Sequence, residues 1–297
     1  MDMKDIVLVT GANGFAGRNL IRYLSACGYA VHGVSRRGGT SDKKEHFAID
    51  QLGDQDELAS LLRKRKITAL VHAAGRINGT PEELREANQE FTRRVVRAVE
   101  AVASETKFVY ISSVSAEAGA KGEYAEAKRA CEEVIIDSRL SRWSILRPSL
   151  LYGPGDTKNV ARLIAAAQHW PVIPVPGAAW VKLQPLYIDD LGGAVSAVLE
   201  RNEWKRSYTV AGPRQEYLRD MIRMIQRRAG RRQPLISIPV KPIQWVVRIA
   251  RHVLPGGLVP SQQIMNLHDH PMWDWSAARR DLGFAPRTFE EGIAEFL

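Results

Sequence analysis

Short apolar runs alternate with amphipathic, helix-length stretches through the first two thirds of the chain. The apolar runs are continuous, as expected for strands that are buried on both faces of a sheet. They cover residues 5–11, 30–36, 69–75, 108–114 and 144–153, and the amphipathic stretches cover residues 17–27, 55–65, 88–103 and 124–138. This alternation predicts an α/β fold in which helices cover both faces of a doubly wound parallel sheet.

The rhythm breaks in the segment 153–184, which contains the Pro- and Trp-rich run "HWPVIPVPGAAW". Residues 185–212 return to a strand-and-helix order, and the chain from Pro213 onward reads as mainly helical and basic. We therefore predict two domains. Residues 1–152 and 185–212 form the sheet domain, and residues 153–184 and 213–297 form a smaller, mainly helical substrate domain.

The composition is that of a globular protein, with 45% hydrophobic and 25% charged residues in a chain of 297. Cys27 and Cys131 lie far apart without C-x-x-C spacing, so we expect no disulfide framework, no metal site and a reducing, cytoplasmic location. The N-terminus lacks a cationic start followed by an apolar core, and no stretch reaches the ~18 uncharged apolar residues of a spanning helix. Neither a secretion signal nor a membrane span is predicted.

The net charge of +9 lies mostly in the last third, where residues 201–297 contain 16 Lys and Arg against 9 Asp and Glu. No helix-turn-helix, zinc-finger or aromatic RNA-binding signature accompanies this charge, so nucleic acid is not expected as a partner. The stretch 241–254, "KPIQWVVRIARHVL", reads as a basic amphipathic helix. It could make weak contact with an anionic membrane surface or pack its apolar face on the domain, and the sequence leaves both open.

The first strand is followed by "TGANGFAG", which places Gly11, Gly14 and Gly17 at three-residue spacing. Glycines in such a turn allow a tight bend, the approach of backbone amides to a pyrophosphate, and close packing of the helix on the strand. Because this turn joins a predicted strand to a predicted helix, it indicates a dinucleotide-binding Rossmann domain.

The end of the second strand indicates which dinucleotide fits. A carboxylate at this place would hold the ribose 2′-hydroxyl of NAD, whereas arginine can accommodate the 2′-phosphate of NADP. The chain has Ser35, Arg36 and Arg37 here and no carboxylate. NADP(H) is therefore the predicted cofactor, and NAD(H) remains an alternative.

Tyr124 and Lys128 are four residues apart in the predicted helix 124–138. Positions i and i+4 share one helix face, with Cβ atoms about 5–6 Å apart, so the phenol and the ammonium can act on one small group. Taken alone, the spacing is more typical of a solvated helix face than of a catalytic pair.

Together these motifs resemble the extended branch of the short-chain dehydrogenase/reductase superfamily, which contains nucleotide-sugar epimerases, dehydratases and reductases. The resemblance covers nearly the whole chain and is carried by "TGANGFAG", "IDQLGD" with Asp50, "HAAG" at 72–75, Asn88 opening a helix, "SSVS" at 112–115, "YAEAK", "LRPSLLYGPG" and "PLYIDDLGGAV".

The resemblance implies that Tyr124 is the general acid/base, that Lys128 stabilises its phenolate and contacts the cofactor ribose, and that Ser113 holds the reacting carbonyl or hydroxyl. Ser112 is the fallback for that last role. The implied cofactor contacts are Gly11, Asn13, Gly14, Phe15, Gly17, Ser35, Arg36, Arg37, Asp50, Ala73, Ala74, Gly75, Asn88, Tyr124, Lys128 and Pro148. The implied substrate contacts are Ser113, Ser115 and Lys182. A homodimer formed through helices 88–103 and 124–138 is also implied.

Three departures from the family pattern concern the site. Only eleven positions separate Ser113 from Tyr124, and Glu117 stands where the family has a tyrosine. Leu183 takes the place of the arginine that many members direct at the nucleotide diphosphate, with Lys182 adjacent. The sugar is therefore not predicted.

Three functions follow from the motifs. The first is an NADP(H)-dependent reductase of a 4-keto nucleotide sugar in a bacterial surface-polysaccharide deoxysugar pathway. The second is an NAD(P)-dependent nucleotide-sugar 4-epimerase. The third is a non-catalytic dinucleotide-binding sensor or assembly protein, which the retention of Ser113, Tyr124 and Lys128 argues against.

Overall fold

The computed structural model describes residues 4–35, 46–48, 55–102, 105–117, 122–158, 160–176, 181–238 and 271–297. The chain divides into two compact units. Unit 1 comprises Met1–Ser149, Ile188–Ala211 and Asp274–Ala285, and unit 2 comprises Leu150–Tyr187, Gly212–Trp273 and Pro286–Leu297.

Unit 1 is built on a parallel sheet. Its strands are β1 (Ile6–Thr10), β2 (Ala30–Ser35), β3 (His46–Ala48), β4 (Ala69–His72), β5 (Lys107–Ile111), β6 (Trp143–Pro148) and β11 (Arg206–Val210). They lie in the order β3-β2-β1-β4-β5-β6-β11, and each neighbouring pair is parallel. The strand order reverses between β1 and β4, which is where doubly wound sheets bind ligands.

Helices accompany this sheet. They are α1 (Phe15–Ala26), α2 (Gln55–Lys64), α3 (Pro81–Leu84), a π-helix (Arg85–Glu90), α4 (Phe91–Val102), a 3₁₀ turn (Val114–Ala116), α5 (Glu123–Ile136), α7 (Ile188–Leu199) and α9 (Ser276–Leu282). Apolar side chains of α2, α4 and α5 pack with those of β1, β4, β5 and β6 in one core, and α1 packs against α7. The predicted α/β fold with a parallel sheet is confirmed.

Unit 2 contains shorter elements. They are β7 (Leu150–Tyr152), α6 (Val160–His169), β8 (Ile173–Pro176), β9 (Lys182–Leu183), β10 (Pro185–Tyr187), β12 (Glu216–Tyr217), α8 (Leu218–Arg228), β13 (Leu235–Ile238) and α10 (Phe289–Ala294). The strands pair as β7–β10, β9–β12 and β8–β13. Tyr152 is fully buried in a core of aromatic and aliphatic side chains, with its ring centroid 5.1 Å from that of Phe289.

Several segments differ from the sequence interpretation. Residues 150–152 and 185–187 were assigned to the sheet domain, but they pair with each other as β7 and β10 and belong to unit 2. Residues 274–285 were assigned to the substrate domain, but they belong to unit 1, because α9 packs against β11 and α7 and buries Ala278. The predicted helix 88–103 is instead α4 preceded by α3 and the π-helix.

Several predictions fall outside the described residues. They concern Arg36, Arg37, Asp50 and the amphipathic stretch 241–254. Among the described residues, no helix is long and apolar enough to span a membrane. The same part of the chain holds no group of His, Cys, Asp and Glu side chains that could bind a metal.

Candidate active site

The glycine turn after β1 approaches the end of β4 closely. Gly11 has φ +73°, in the left-handed region, and a Cβ built on it would lie 2.7 Å from the Cα of Ala74. The Gly14 N–H donates to the Gly11 carbonyl at 2.8 Å, and Gly14 is the N-cap of α1, where no side chain caps the helix. A helix N-terminus without a side-chain cap favours an anionic group.

A buried histidine links the ends of β1 and β4. His72 Nδ1 lies 2.7 Å from Thr10 Oγ1, and His72 Nε2 lies 3.0 Å from Thr92 Oγ1 on α4. Thr10 Oγ1 also accepts the Ala74 N–H at 3.3 Å. Burial lowers the pKa of His72 to about 3, and the charge of Lys128 acts in the same direction. The imidazole is therefore neutral. Its contact with Thr10 fixes the end of β1, where the glycine turn begins, beside the end of β4.

The end of β2 is tied to the same turn. The Ala12 N–H donates to the Val34 carbonyl at 3.2 Å, and Asn13 Nδ2 donates to Ser35 Oγ at 2.8 Å. Ser35 is buried, and Phe15 begins α1. The structure therefore brings together the residues that the sequence assigned to the glycine turn and the last described residue of β2.

Asn88 supports the loop after β4. Its Oδ1 accepts the Arg76 N–H at 2.9 Å, and its Nδ2 donates to the carbonyls of Arg76 at 3.0 Å and Leu84 at 2.8 Å. A Cβ on Gly75 would lie 2.9 Å from Asn88 Oδ1. The π-helix thus directs a buried amide at the backbone beside Gly75, and the side chain fixes the loop.

Tyr124 and Ser113 meet at the carboxyl end of β5. The Ser113 hydroxyl lies near enough to Tyr124 to lower the pKa of its phenol, and Ser113 Oγ accepts the Ser115 N–H at 3.1 Å. Burial raises the pKa of Tyr124 to about 12, and the neighbouring Ser113 hydroxyl opposes this increase. The phenol is therefore protonated at neutral pH, and it lies near the serine that the sequence favoured.

Lys128 is buried one turn further along α5. Its Nζ donates to the Tyr110 hydroxyl and to the Ile111 carbonyl, both at 3.0 Å. A Cβ on Gly75 would lie 3.6 Å from this ammonium, so Lys128 lies beside the "HAAG" segment. Burial lowers the pKa of Lys128, whereas the charge of Glu132 raises it.

Ser112 makes a different set of contacts from Ser113. It is buried, and its Oγ donates to Glu132 Oε1 at 2.5 Å. Arg147 of β6 donates from Nε and Nη2 to the same carboxylate, at 3.0 Å and 2.5 Å. This network joins α5, β5 and β6 directly behind Ser113 and immediately before Pro148.

Sequence analysis missed five residues of this constellation. They are Thr10, His72, Tyr110, Glu132 and Arg147. Only Glu132 left a signal that could be read locally, because it continues the four-residue spacing of Tyr124 and Lys128 along one face of α5.

Lys182 lies in unit 2, on β9. Its Nζ is 5.4 Å from the centroid of the Tyr217 ring on β12, a cation–π contact. Lys182 and Leu183 pair with Tyr217 and Glu216 in a short antiparallel ladder.

The residues of unit 1 fit a dinucleotide. The turn at Gly11 has no room for a side chain, the N-terminus of α1 has no side-chain cap, and Gly75 leaves space beside the Lys128 ammonium. The model of the NAD dependent epimerase/dehydratase family matches residues 7–211. The chain belongs to this family. It is accordingly an NAD(P)-dependent enzyme of the short-chain dehydrogenase/reductase type.

Two relatives found by sequence show what this chain is similar to. It is 32% identical over 179 residues to "Ceramide reductase" of Caulobacter vibrioides, a match that spans 59% of this chain and 55% of that protein. It is 26% identical over 318 residues to "dTDP-6-deoxy-L-talose 4-dehydrogenase (NAD(P)(+))" of Kitasatospora kifunensis, spanning 97% and 93% of the two chains.

A solved structure shows the same fold. UDP-N-acetylglucosamine 4-epimerase from Bacillus cereus superposes with a TM-score of 0.77 at 19% identity, and the superposition covers 97% of this chain and 96% of that one. The relatives found by sequence thus include proteins named as a nucleotide-sugar dehydrogenase and as nucleotide-sugar reductases.

Proposed function

We propose that this enzyme is an NADP(H)-dependent reductase of a 4-keto nucleotide sugar, acting in a deoxysugar pathway for bacterial surface polysaccharide. The observation that carries the proposal is that Ser113 lies near enough to Tyr124 to oppose the rise of its pKa, and that Tyr124 is on the helix that also holds the buried Lys128. Relatives named as a UDP-linked hexul-4-ose reductase and a dTDP-4-dehydro-6-deoxy-D-allose reductase support the substrate class.

In this proposal Tyr124 donates its proton to the substrate carbonyl oxygen, and the Ser113 hydroxyl holds that oxygen by a hydrogen bond. The bound dinucleotide supplies the hydride. A phenol with a pKa of about 12 carries its proton at neutral pH, so it is ready to act as an acid. Lys128 lies one turn further along α5, and in this proposal its ammonium stabilises the phenolate that remains. Its contacts with Tyr110 and Ile111 fix it in place.

The proposed cofactor contacts follow the geometry of unit 1. The pyrophosphate would lie at Gly14 and the N-terminus of α1, and Ala73, Ala74 and Gly75 would line the loop after β4. Ser35 would lie at the adenosine ribose, where the absence of a neighbouring carboxylate in "SRR" supports NADPH. Lys182 is retained as a diphosphate contact on family resemblance alone.

The proposal is tested by following the absorbance of the reduced nicotinamide while the purified protein meets a panel of 4-keto nucleotide sugars. We expect stoichiometric consumption of NADPH, and a fall of about 10²–10⁴-fold in turnover for Tyr124→Phe with dinucleotide binding unchanged. Tyr29→Phe is the matched control, because it removes a tyrosine hydroxyl far from the proposed site. Tyr29 directly precedes β2, at the amino-terminal ends of the strands, and its hydroxyl contacts Glu200.

Two results would favour the alternatives. Interconversion of two sugar epimers without net loss of NADPH, by protein that keeps its dinucleotide through dialysis, would favour the 4-epimerase. Tight dinucleotide binding without turnover of any substrate would favour the sensor or assembly protein.

A second candidate substrate is a ceramide-type lipid that carries a ketone. The 32% identity to a protein named ceramide reductase supports it, and so does the short interval between Ser113 and Tyr124, which leaves fewer residues to surround a sugar. The same NADPH assay with a ketone-bearing ceramide in detergent micelles separates the two candidates. Consumption with the lipid and not with the sugars would favour the lipid.

We also propose a homodimer formed through α4 and α5. Ile136, the last residue of α5, is 49% exposed, which supports a covered apolar contact at this helix end. Light scattering after size-exclusion chromatography should give twice the monomer mass, and Ile136→Asp should shift the mass towards 33.2 kDa.

A further inference from the structure

Hydrogen bonds bring the end of α6 and the segment after α8 together in unit 2. Gln233 Nε2 donates to the Ala167 carbonyl at 2.6 Å, and Gln226 Nε2 donates to the Gln233 carbonyl at 2.8 Å. The strands that follow pair in parallel, with Leu235 opposite Ile173. The two segments are therefore fixed to one another on both sides of the turn at residue 170.

Trp170 lies midway between these contacts, three residues after Ala167 and three before Ile173. Because a chain spans at most about 3.6 Å per residue, its Cα lies within about 11 Å of both contacts. Arg231 and Arg232 directly precede Gln233 in the facing segment. Tryptophan and the arginine pair thus occur at one edge of unit 2.

The side chains at this edge are exposed and of two kinds. Trp170 is 51% exposed and Ile236 is 53% exposed, although both are large apolar residues. Arg231 and Arg232 are exposed, and neither has an ion-pair partner within the part of the chain that the structure describes. We call Trp170, Arg231, Arg232 and Ile236 the basic edge.

Carboxylates are absent from the two sequence segments that form this edge. Residues 160–176 and 221–238 contain no Asp or Glu, but they contain Arg162, Arg223, Arg227, Arg228, Arg231 and Arg232. The carboxylates that reach these arginines come from outside the segments, as in the 3.7 Å pair of Arg227 with Glu290 and the 3.8 Å pair of Arg223 with Asp220. The edge is therefore cationic, with apolar groups inserted.

We propose that the basic edge docks on the surface of a bilayer that contains anionic phospholipids. Arginine guanidinium groups pair with lipid phosphates, and an exposed indole partitions to the interface between headgroups and acyl chains. Charge complementarity thus accounts for the arginines, and insertion into the interface accounts for the exposed Trp170 and Ile236. A site for the nucleic acid backbone would account for the arginines but not for these two apolar side chains. This proposal does not depend on the substrate of the enzyme.

The test is co-sedimentation of the full-length protein with vesicles of phosphatidylcholine alone or of equal parts phosphatidylcholine and phosphatidylglycerol. Binding is expected only to the anionic vesicles, and it should weaken as salt is added. Each cationic side chain near the surface contributes about fivefold, so Arg231→Glu/Arg232→Glu should reduce binding by at least about 25-fold. Trp170→Ser should reduce it further, because the indole no longer inserts.

The matched control is Lys64→Glu/Arg65→Glu, which makes the same charge change at exposed positions at the end of α2 in unit 1 and should keep vesicle binding. Titration with NADPH checks that every variant is folded. Equal binding to both vesicle types, or an equal loss in the two double variants, would overturn the proposal. So would arginine-dependent binding to an RNA oligonucleotide that vesicles do not compete for, or self-association that depends on Trp170.

Discussion

Replacing Glu132 with glutamine removes the negative charge of the network that joins α5 to β5 and β6. The substitution keeps the size of the side chain, and the new amide oxygen can still accept the Ser112 hydroxyl. Arg147 donates from Nε and Nη2 to this carboxylate. After the substitution its guanidinium therefore faces an uncharged amide. The guanidinium cannot lose its charge in response.

The magnitude follows from burial. The side chain of Glu132 is 5% exposed and that of Arg147 is 25% exposed. Removing one partner from a buried ion pair typically costs about 3–5 kcal/mol. The remaining exposure of Arg147 and the nearby charge of Glu117 place this case at the lower end, so we expect a loss of about 3 kcal/mol in the free energy of unfolding.

The assay is urea unfolding of a double-mutant cycle. Glu132→Gln leaves the Arg147 guanidinium without its charged partner, and Arg147→Met leaves the Glu132 carboxylate without its own. The double variant leaves neither charge. Its loss of unfolding free energy should therefore be smaller than the sum of the two single losses by about 1–3 kcal/mol. Glu126→Gln is the matched control, since Glu126 is exposed on the first turn of the same helix, and it should change stability by less than about 0.5 kcal/mol. A loss below about 1 kcal/mol for Glu132→Gln, or additive losses in the cycle, would refute the reasoning.

Further expectations concern a positioning residue, a buried histidine and the choice of cofactor. Tyr110→Phe removes one acceptor from the Lys128 ammonium and lowers the pKa of that lysine further. The ammonium is then lost at lower pH, so the basic limb of the kcat/KM profile should move to lower pH and turnover should fall by about 10-fold; an unchanged pH profile would leave Tyr110 a packing role only. His72 has a pKa of about 3 in the folded protein against 6.5 in the unfolded chain, so the unfolded chain binds more protons below pH 6.5 and stability is lost as the pH falls from about 6.5 to 3. His72→Gln should remove about 2 kcal/mol of the decline between pH 7 and pH 5 in urea titrations, and an identical acid limb would contradict this. Arg36→Ala should weaken NADPH binding by about 10- to 150-fold with little change for NADH in fluorescence titrations, and tighter binding of NADH by the unmodified protein would count against NADP(H).

Local information was sufficient for the frame of unit 1. Continuous apolar runs predicted its principal strands, and the glycine spacing after β1 predicted a tight turn into a helix. Tyr124 and Lys128 were found together because a helix places residues four apart on the same face. These features are set by residues that are close to one another in the sequence, within one helical turn or one strand, so they can be predicted without the tertiary structure.

The interpretation was weaker where the backbone departs from a regular period. The stretch 88–103 reads as one helix, yet Asn88 lies in a π-helix that directs its amide at Arg76. The helix α6 was missed because its surroundings are rich in Pro and Trp. Residues 274–285 were assigned by position in the chain, whereas the burial of Ala278 against unit 1 decides their place.

The family resemblance favoured Ser113 over Ser112, but the contacts of the two serines at the end of β5 come from the tertiary structure. Neighbouring residues in an extended chain point to opposite sides, and the sequence does not state which side faces α5 at Tyr124. The fold directs Ser113 at Tyr124 and Ser112 at Glu132. Likewise, the contact of Thr10 with His72 and that of Glu132 with Arg147 join residues on different elements, so they exist only once the strands have paired and the helices have packed on the sheet.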